Sequence, residues 1–233
     1  MKLKLTPLYI LAFLFLLFLV HEVHDWSHAL MARAVCPCWG RRIFDGWDFC
    51  PGYKVSSGQR ALALIAGPII NYLLLGIGYR LLEPDNPLNE QSLGCSLVFA
   101  TLPLNGLLAA FDGGGDLTNA IRLLQQHGIT TNHRLVTIMG LLLVIALTVP
   151  PLVRAFLSLP GFQGRLLVFP ILLLVPGWLD HEVVGKWLNA WLIAPDATQA
   201  YAYAVVGGWG CFLLLGWLLT RQHLEDMMSE LSL

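Results

Sequence analysis

Apolar residues in this chain fall in long blocks, not in the short alternating runs of a half-buried strand. At about 20 residues per crossing, the blocks predict six membrane-spanning helices, over 7–34, 61–82, 93–111, 135–157, 166–179 and 201–219. Pro150-Pro151 predicts a kink in the fourth, and Pro170 and Pro176 interrupt the fifth. The stretch 183–193 is apolar, with Lys186, Trp187 and Trp191 placed to anchor it at the membrane interface. Between the first two spans, 36–60 mixes Gly40, Gly46, Gly52 and Gly58 with aromatic residues. That mixture suits turns and a short membrane-associated hairpin. The first three spans and this loop read as one core (1–125), with further transmembrane helices over 126–233.

Composition narrows the class. The 233 residues are 56% hydrophobic and 12% charged, about half the charge of a soluble domain. The net charge of −1 offers no basic surface to nucleic acid. An ordinary soluble enzyme, a disordered chain and a nucleic-acid binder are excluded. The expectation is an all-α, multi-pass integral membrane protein in the lipid bilayer, here the plasma membrane of a bacterium. The first apolar block runs into His21, Glu22 and Asp25 with no small-residue cleavage site, so it is expected to stay as a span. Arg33, Arg41, Arg42, Lys54 and Arg60 around the first loop lean towards a cytoplasmic loop and an outside N-terminus. Cys36 and Cys38 share that loop with Cys50 and can bind metal or pair, although ordinary loop cysteines are the preferred reading.

The segment His21-Glu22-Val23-His24-Asp25-Trp26-Ser27-His28 carries five ionisable residues inside the first span. Each costs about 2.5–3.5 kcal/mol to insert into a bilayer, so the cluster implies a function. At about 100° per residue, His21, His24, Asp25 and His28 share a helix face, with Glu22 at its edge. His24 and His28 stand four residues apart and can reach one zinc ion. Asp25 then stands where the Glu of H-E-x-x-H acts as base. A second register, His21-Glu22-x-x-Asp25, offers Glu22 as base. The alternatives are a polar face satisfied by neighbouring helices, or a proton path. A third ligand is sought at the same depth. His24 lies about 25 Å along the first span and Asp112 about 28 Å along the third, at 1.5 Å per residue. Both point to one face of a ~30 Å core, and the glycines after Asp112 allow close approach. Asp116 is expected to cap the helix that follows. Asp180-His181-Glu182 reads as an interfacial polar cap in preference to a second metal site, and His127, His133 and His223 read as solvated.

These landmarks resemble the site-2 protease family of intramembrane zinc metalloproteases. Residues 23–30, V-H-D-W-S-H-A-L, are similar to its H-E-x-x-H followed by a small residue. Ala66-Gly67-Pro68-Ile69-Ile70-Asn71, led in by Gln59-Arg60, matches A-G-P-x-x-N, and Phe111-Asp112-Gly113-Gly114 resembles the aspartate-glycine motif. The resemblance covers about 8–124. It implies Zn2+ held by His24, His28 and Asp112, with Asp25 (or Glu22) as base and Asn71, Asn105 and His21 supporting the site. The loop hairpin would pair with an unwound strand of a transmembrane protein substrate, whose peptide bond is hydrolysed within or near its membrane segment. Two departures stand out: Asp25 in place of Glu, and no Pro between Asn105 and Asp112. They leave open a catalytically silent relative that binds or regulates a membrane partner. A metal or proton transporter is the third class.

Overall fold

The computed structural model describes residues 2–112, 114–126, 133–192 and 198–229. Among them, six helices are long and apolar enough to cross a bilayer: Pro7–Val35, Ser57–Leu81, Leu88–Phe111, Thr137–Ser158, Gly164–Leu188 and Gln199–Thr220. The expected all-helical membrane architecture is the one observed. Their outward faces carry exposed Leu142, Leu147, Leu167, Ile171, Leu215 and Leu219. Such a band is too large for a water-facing surface and suits lipid.

In chain order, β1 (Lys2–Leu3) precedes α1 (Pro7–Val35). Pro7 opens α1 where a missing N–H costs nothing, and the Thr6 hydroxyl accepts from Tyr9 N–H. A hairpin follows, β2 (Arg42–Ile43) against β3 (Gly46–Trp47). Helix α2 (Ser57–Leu81) starts with a reciprocal cap between Ser56 and Gln59, so the lead-in residue Gln59 has a local structural role. The third span is broken into α3 (Leu88–Ala100) and α4 (Pro103–Phe111). Pro103 disfavours a helical residue before it, and Leu102 takes a left-handed conformation, φ 52°. Sequence periodicity predicted one continuous span there.

Helix α5 (Gly115–Gln126) is amphipathic and lies outside the spans, and α6 (His133–Ser158) runs through Pro150-Pro151. Helix α7 (Phe162–Asp180) continues without a break through π-helical turns over His181–Leu188 into α8 (Asn189–Leu192). The fifth span is therefore longer than expected, and most of the stretch anticipated at the interface belongs to it. Helix α9 (Gln199–Thr220), α10 (Gln222–Glu225) and β4 (Met228–Ser229) complete the chain, with β4 antiparallel to β1. His127 lies outside the described residues, as does the side chain of His133.

Two apolar clusters hold α1 in the middle of the bundle. One joins Tyr9, Phe13 and Leu16 to Val98 on α3, Leu159 on α6 and Leu172 on α7. The later helices thus pack directly on the first three. The other joins Leu17 and Phe18 to Val184, Val206 and Leu213, with Phe44 of the hairpin inserted among them at 0% exposure. Phe44 anchors the hairpin against the site face of α1. Its N–H donates to Asn189 Oδ1 (2.9 Å), and the Tyr203 hydroxyl and Gln199 amide donate to Gly40 O. A Cβ on Gly40 would collide with the Asp48 backbone. Cys38 and Cys50 are disulfide-bonded across the hairpin's base, which corrects the reading of both as ordinary loop cysteines; Cys36 and Cys95 are free and buried.

Candidate metal centre

His24 and His28 stand one turn apart on α1, their Nε2 atoms 3.0 Å from each other. The carboxylate that meets them is Asp116, with Oδ2 3.4 Å from His24 Nε2 and 3.2 Å from His28 Nε2. Donors about 2.0–2.1 Å from a tetrahedral zinc stand about 3.3 Å apart. All three separations agree with that value to within a few tenths of an ångström. The residues present therefore fit a zinc ion.

Asp112, expected as the third ligand, is exposed at the C-terminal end of α4. The correction has a physical reason. Depth along a straight third span places Asp112 correctly in height, but the break at Leu102 reorients α4. The chain then re-enters through α5, whose first turn holds Asp116. Asp116 thus faces the histidines and does not serve merely as a helix cap. Burial tends to raise its carboxyl pKa, but the hydrogen bonds from His24 and His28 prevail and hold it well below the ordinary carboxylate range.

Neighbours orient the imidazoles. His28 Nδ1 donates to Ala63 O at 2.7 Å, fixing the tautomer that turns Nε2 to the metal position. Pro68 cannot donate to the Leu64 carbonyl, which loosens this turn of α2. Trp47 of the hairpin stacks on the His28 ring at 5.3 Å and 15°. Gly67 lets α2 come this close: a Cβ there would overlap His28 Nε2 and lie 2.6 Å from His24 Cε1. Gly67→Ala is expected to lower zinc affinity by about 10–100-fold, the range for disturbed ligand support. Full zinc retention after dialysis against chelator would show that α2 can recede.

The donors open on a cavity of about 390 Å³ lined by His21, Asp25, Asn71, Asn105, Thr148 and Asp180 among others. Asn71 Oδ1 is buried without a hydrogen-bond partner. Asn105 lies against Gly177 of α7. Asp25 offers a carboxylate oxygen within 4.8 Å of the donor nitrogens of His24 and His28. Glu22 does not line the cavity. It is 2% exposed, and its Oε2 accepts from Arg42 at 3.1 Å. The arrangement therefore favours the His24/His28 register, with Asp25 facing the metal position and Glu22 turned away.

No protein-family model, curated protein or solved structure matches the chain. The chemistry of the site is therefore argued from these residues alone.

Three features of the site gave no sequence signal. Arg42 is fully buried, with Nη2 on Glu22 and Nη1 3.0 Å from Asp25 Oδ2, while Nη1 also donates to Gly46 O. In sequence it is one loop arginine among several. Asp180, placed at an interfacial cap by the sequence, reaches His21 Nδ1 at 3.0 Å from α7. Asp45, at the hairpin tip, joins His21 and Asp25 within 4.8 Å. Burial raises the Asp45 carboxyl above its ordinary value; His21 opposes the shift, and Asp25 and Asp180 add to it.

Proposed function

We propose that the chain is an intramembrane zinc metalloprotease of the site-2 protease type. It would hydrolyse a peptide bond within or near the membrane segment of a protein substrate. The observation that carries the reading is the near-tetrahedral spacing of His24, His28 and Asp116 on the wall of a cavity between membrane-spanning helices. Zinc held there would supply Lewis acidity, polarising a peptide carbonyl and lowering the pKa of water. Asp25 is the carboxylate placed to take the proton from the attacking water and return it to the leaving amine. Asn71 and Asn105 line the cavity with amide groups able to hydrogen-bond an unwound substrate backbone, which inside a bilayer has no other partner. Trp47 and the Ala63 carbonyl hold His28 in register. A bacterial plasma membrane is the proposed location.

The contact from Arg42 to Asp25 favours a second reading, a silent relative that keeps the fold and the metal and binds a membrane partner. An ion-paired carboxylate is a poorer base. Metal analysis paired with cleavage separates the two. In liposomes with a single-span substrate, the wild type is expected to hold zinc and cleave, and Asp25→Asn to hold zinc and lose cleavage by at least ~100-fold, the lower bound for removing a general base. Zinc binding without cleavage of any membrane substrate supports the silent relative; metal flux without proteolysis supports a transporter.

A further inference from the structure

We propose a second divalent-cation site beside the first, built from His21, Asp25, Asp45 and Asp180, with Asp25 shared between the two. Three elements bring it together. Helix α1 supplies His21 and Asp25, the hairpin tip supplies Asp45, and α7 supplies Asp180. Donor atoms of His21, Asp25 and Asp45 all lie within 4.8 Å of one another, as do those of His24, Asp25 and His28. Asp180 closes the first group at 3.0 Å from His21 Nδ1. One carboxylate at the junction of two donor sets is the arrangement of two-metal hydrolytic centres, whose ions sit about 3.5–4 Å apart.

Two independent observations point to a missing ligand. Asp25 and Asp180 are 6% and 9% exposed, both line the cavity, and Asp25 Oδ2 and Asp180 Oδ1 have no hydrogen-bond partner. Buried carboxylate oxygens in that condition are costly unless a cation is present. The charge count agrees. Glu22, Asp25, Asp45 and Asp180 set four carboxylates against the single guanidinium of Arg42. A divalent ion offsets two of the three charges left over. One imidazole with three carboxylates suits an ion of the manganese or zinc kind.

The competing occupant is a proton. His21 Nδ1 faces Asp180 and Nε2 faces Phe44 O at 3.2 Å, so an imidazolium would satisfy both contacts while offsetting one charge. Counting metal in the full-length protein in detergent decides between them. Samples saturated with Zn2+, and separately with Mn2+, are passed over a desalting column and analysed for metal per chain. Two equivalents are expected in the wild type, and one in Asp45→Asn and in Asp180→Asn. Asp45 is exposed at the hairpin tip, so Asp45→Asn removes no core group, and the equivalent it retains reports an intact first site. A wild type that saturates at one equivalent, or an Asp45→Asn that keeps two, overturns the proposal. The count uses no substrate. Failure of the protease reading appears instead as absent cleavage, or as a His28→Ala variant that loses no metal.

Discussion

Asp116→Ala empties the metal centre and abolishes cleavage, while Asp112→Ala leaves both at wild-type levels. The two residues sit four apart around one glycine run, so this pair of variants tests the local backbone path as much as the chemistry. Asp116 Oδ2 lies within 3.4 Å of both imidazole nitrogens; Asp112 is exposed, with its backbone N–H bonded to Leu108 O. Removing a direct ligand should cost more than the ~10–100-fold lost with outer-shell partners. Asp116→Ala is therefore expected to hold no zinc after desalting. Asp116→Glu moves the carboxylate by about one methylene and should recover only part of it. Elemental analysis of the purified protein reads the result. Zinc lost from Asp112→Ala and kept by Asp116→Ala would reverse the assignment.

Arg42→Ala should be the most destabilising single substitution in the hairpin. It strands Glu22 and Asp25 in a site where Arg42 is 0% and Glu22 2% exposed. Leaving a buried charge without its partner typically costs about 3–5 kcal/mol, more than the intact pair contributes. The guanidinium also lies 6.0 Å over the Trp26 ring and bonds Gly46 O, so its packing is lost too. Thermal unfolding in detergent should show a large drop for Arg42→Ala. Adding Glu22→Gln to it should restore part of the loss, because a neutral amide is cheaper to bury than an unpaired carboxylate. An Arg42→Ala protein within about 1 kcal/mol of wild type would mean that water or a bound cation has taken over the pairing.

The spans were legible because blocks of about 20 apolar residues leave few alternatives in a chain with 12% charge. His24 and His28 were legible because ligands four residues apart on one helix need no tertiary information. Asp116 was not. Choosing between Asp112 and Asp116 depends on how the chain turns after Phe111, and the break at Leu102 alters that direction. Leu102-Pro103 was the available signal, since a residue before proline avoids the helical region. Arg42, Asp45 and Asp180 were beyond reach for a different reason. Asp180 meets His21 across 159 residues of sequence, and pairing of that kind is set by how α7 packs on α1, which no local pattern encodes.

The bridge between Cys38 and Cys50 also decides which compartment the catalytic mouth faces. Such bonds persist where thiols are kept oxidised, outside the cytoplasm. The hairpin, and the end of α1 bearing His24 and His28, then face outward, with Lys2, Lys4 and Arg80 on the cytoplasmic side. This reverses the sidedness suggested by counting basic residues around the first loop. That count gave full weight to Arg42, which is spent on Glu22 and Asp25 inside the protein. A substrate would be opened near the outer leaflet, so that its cut end is released away from the cytoplasm.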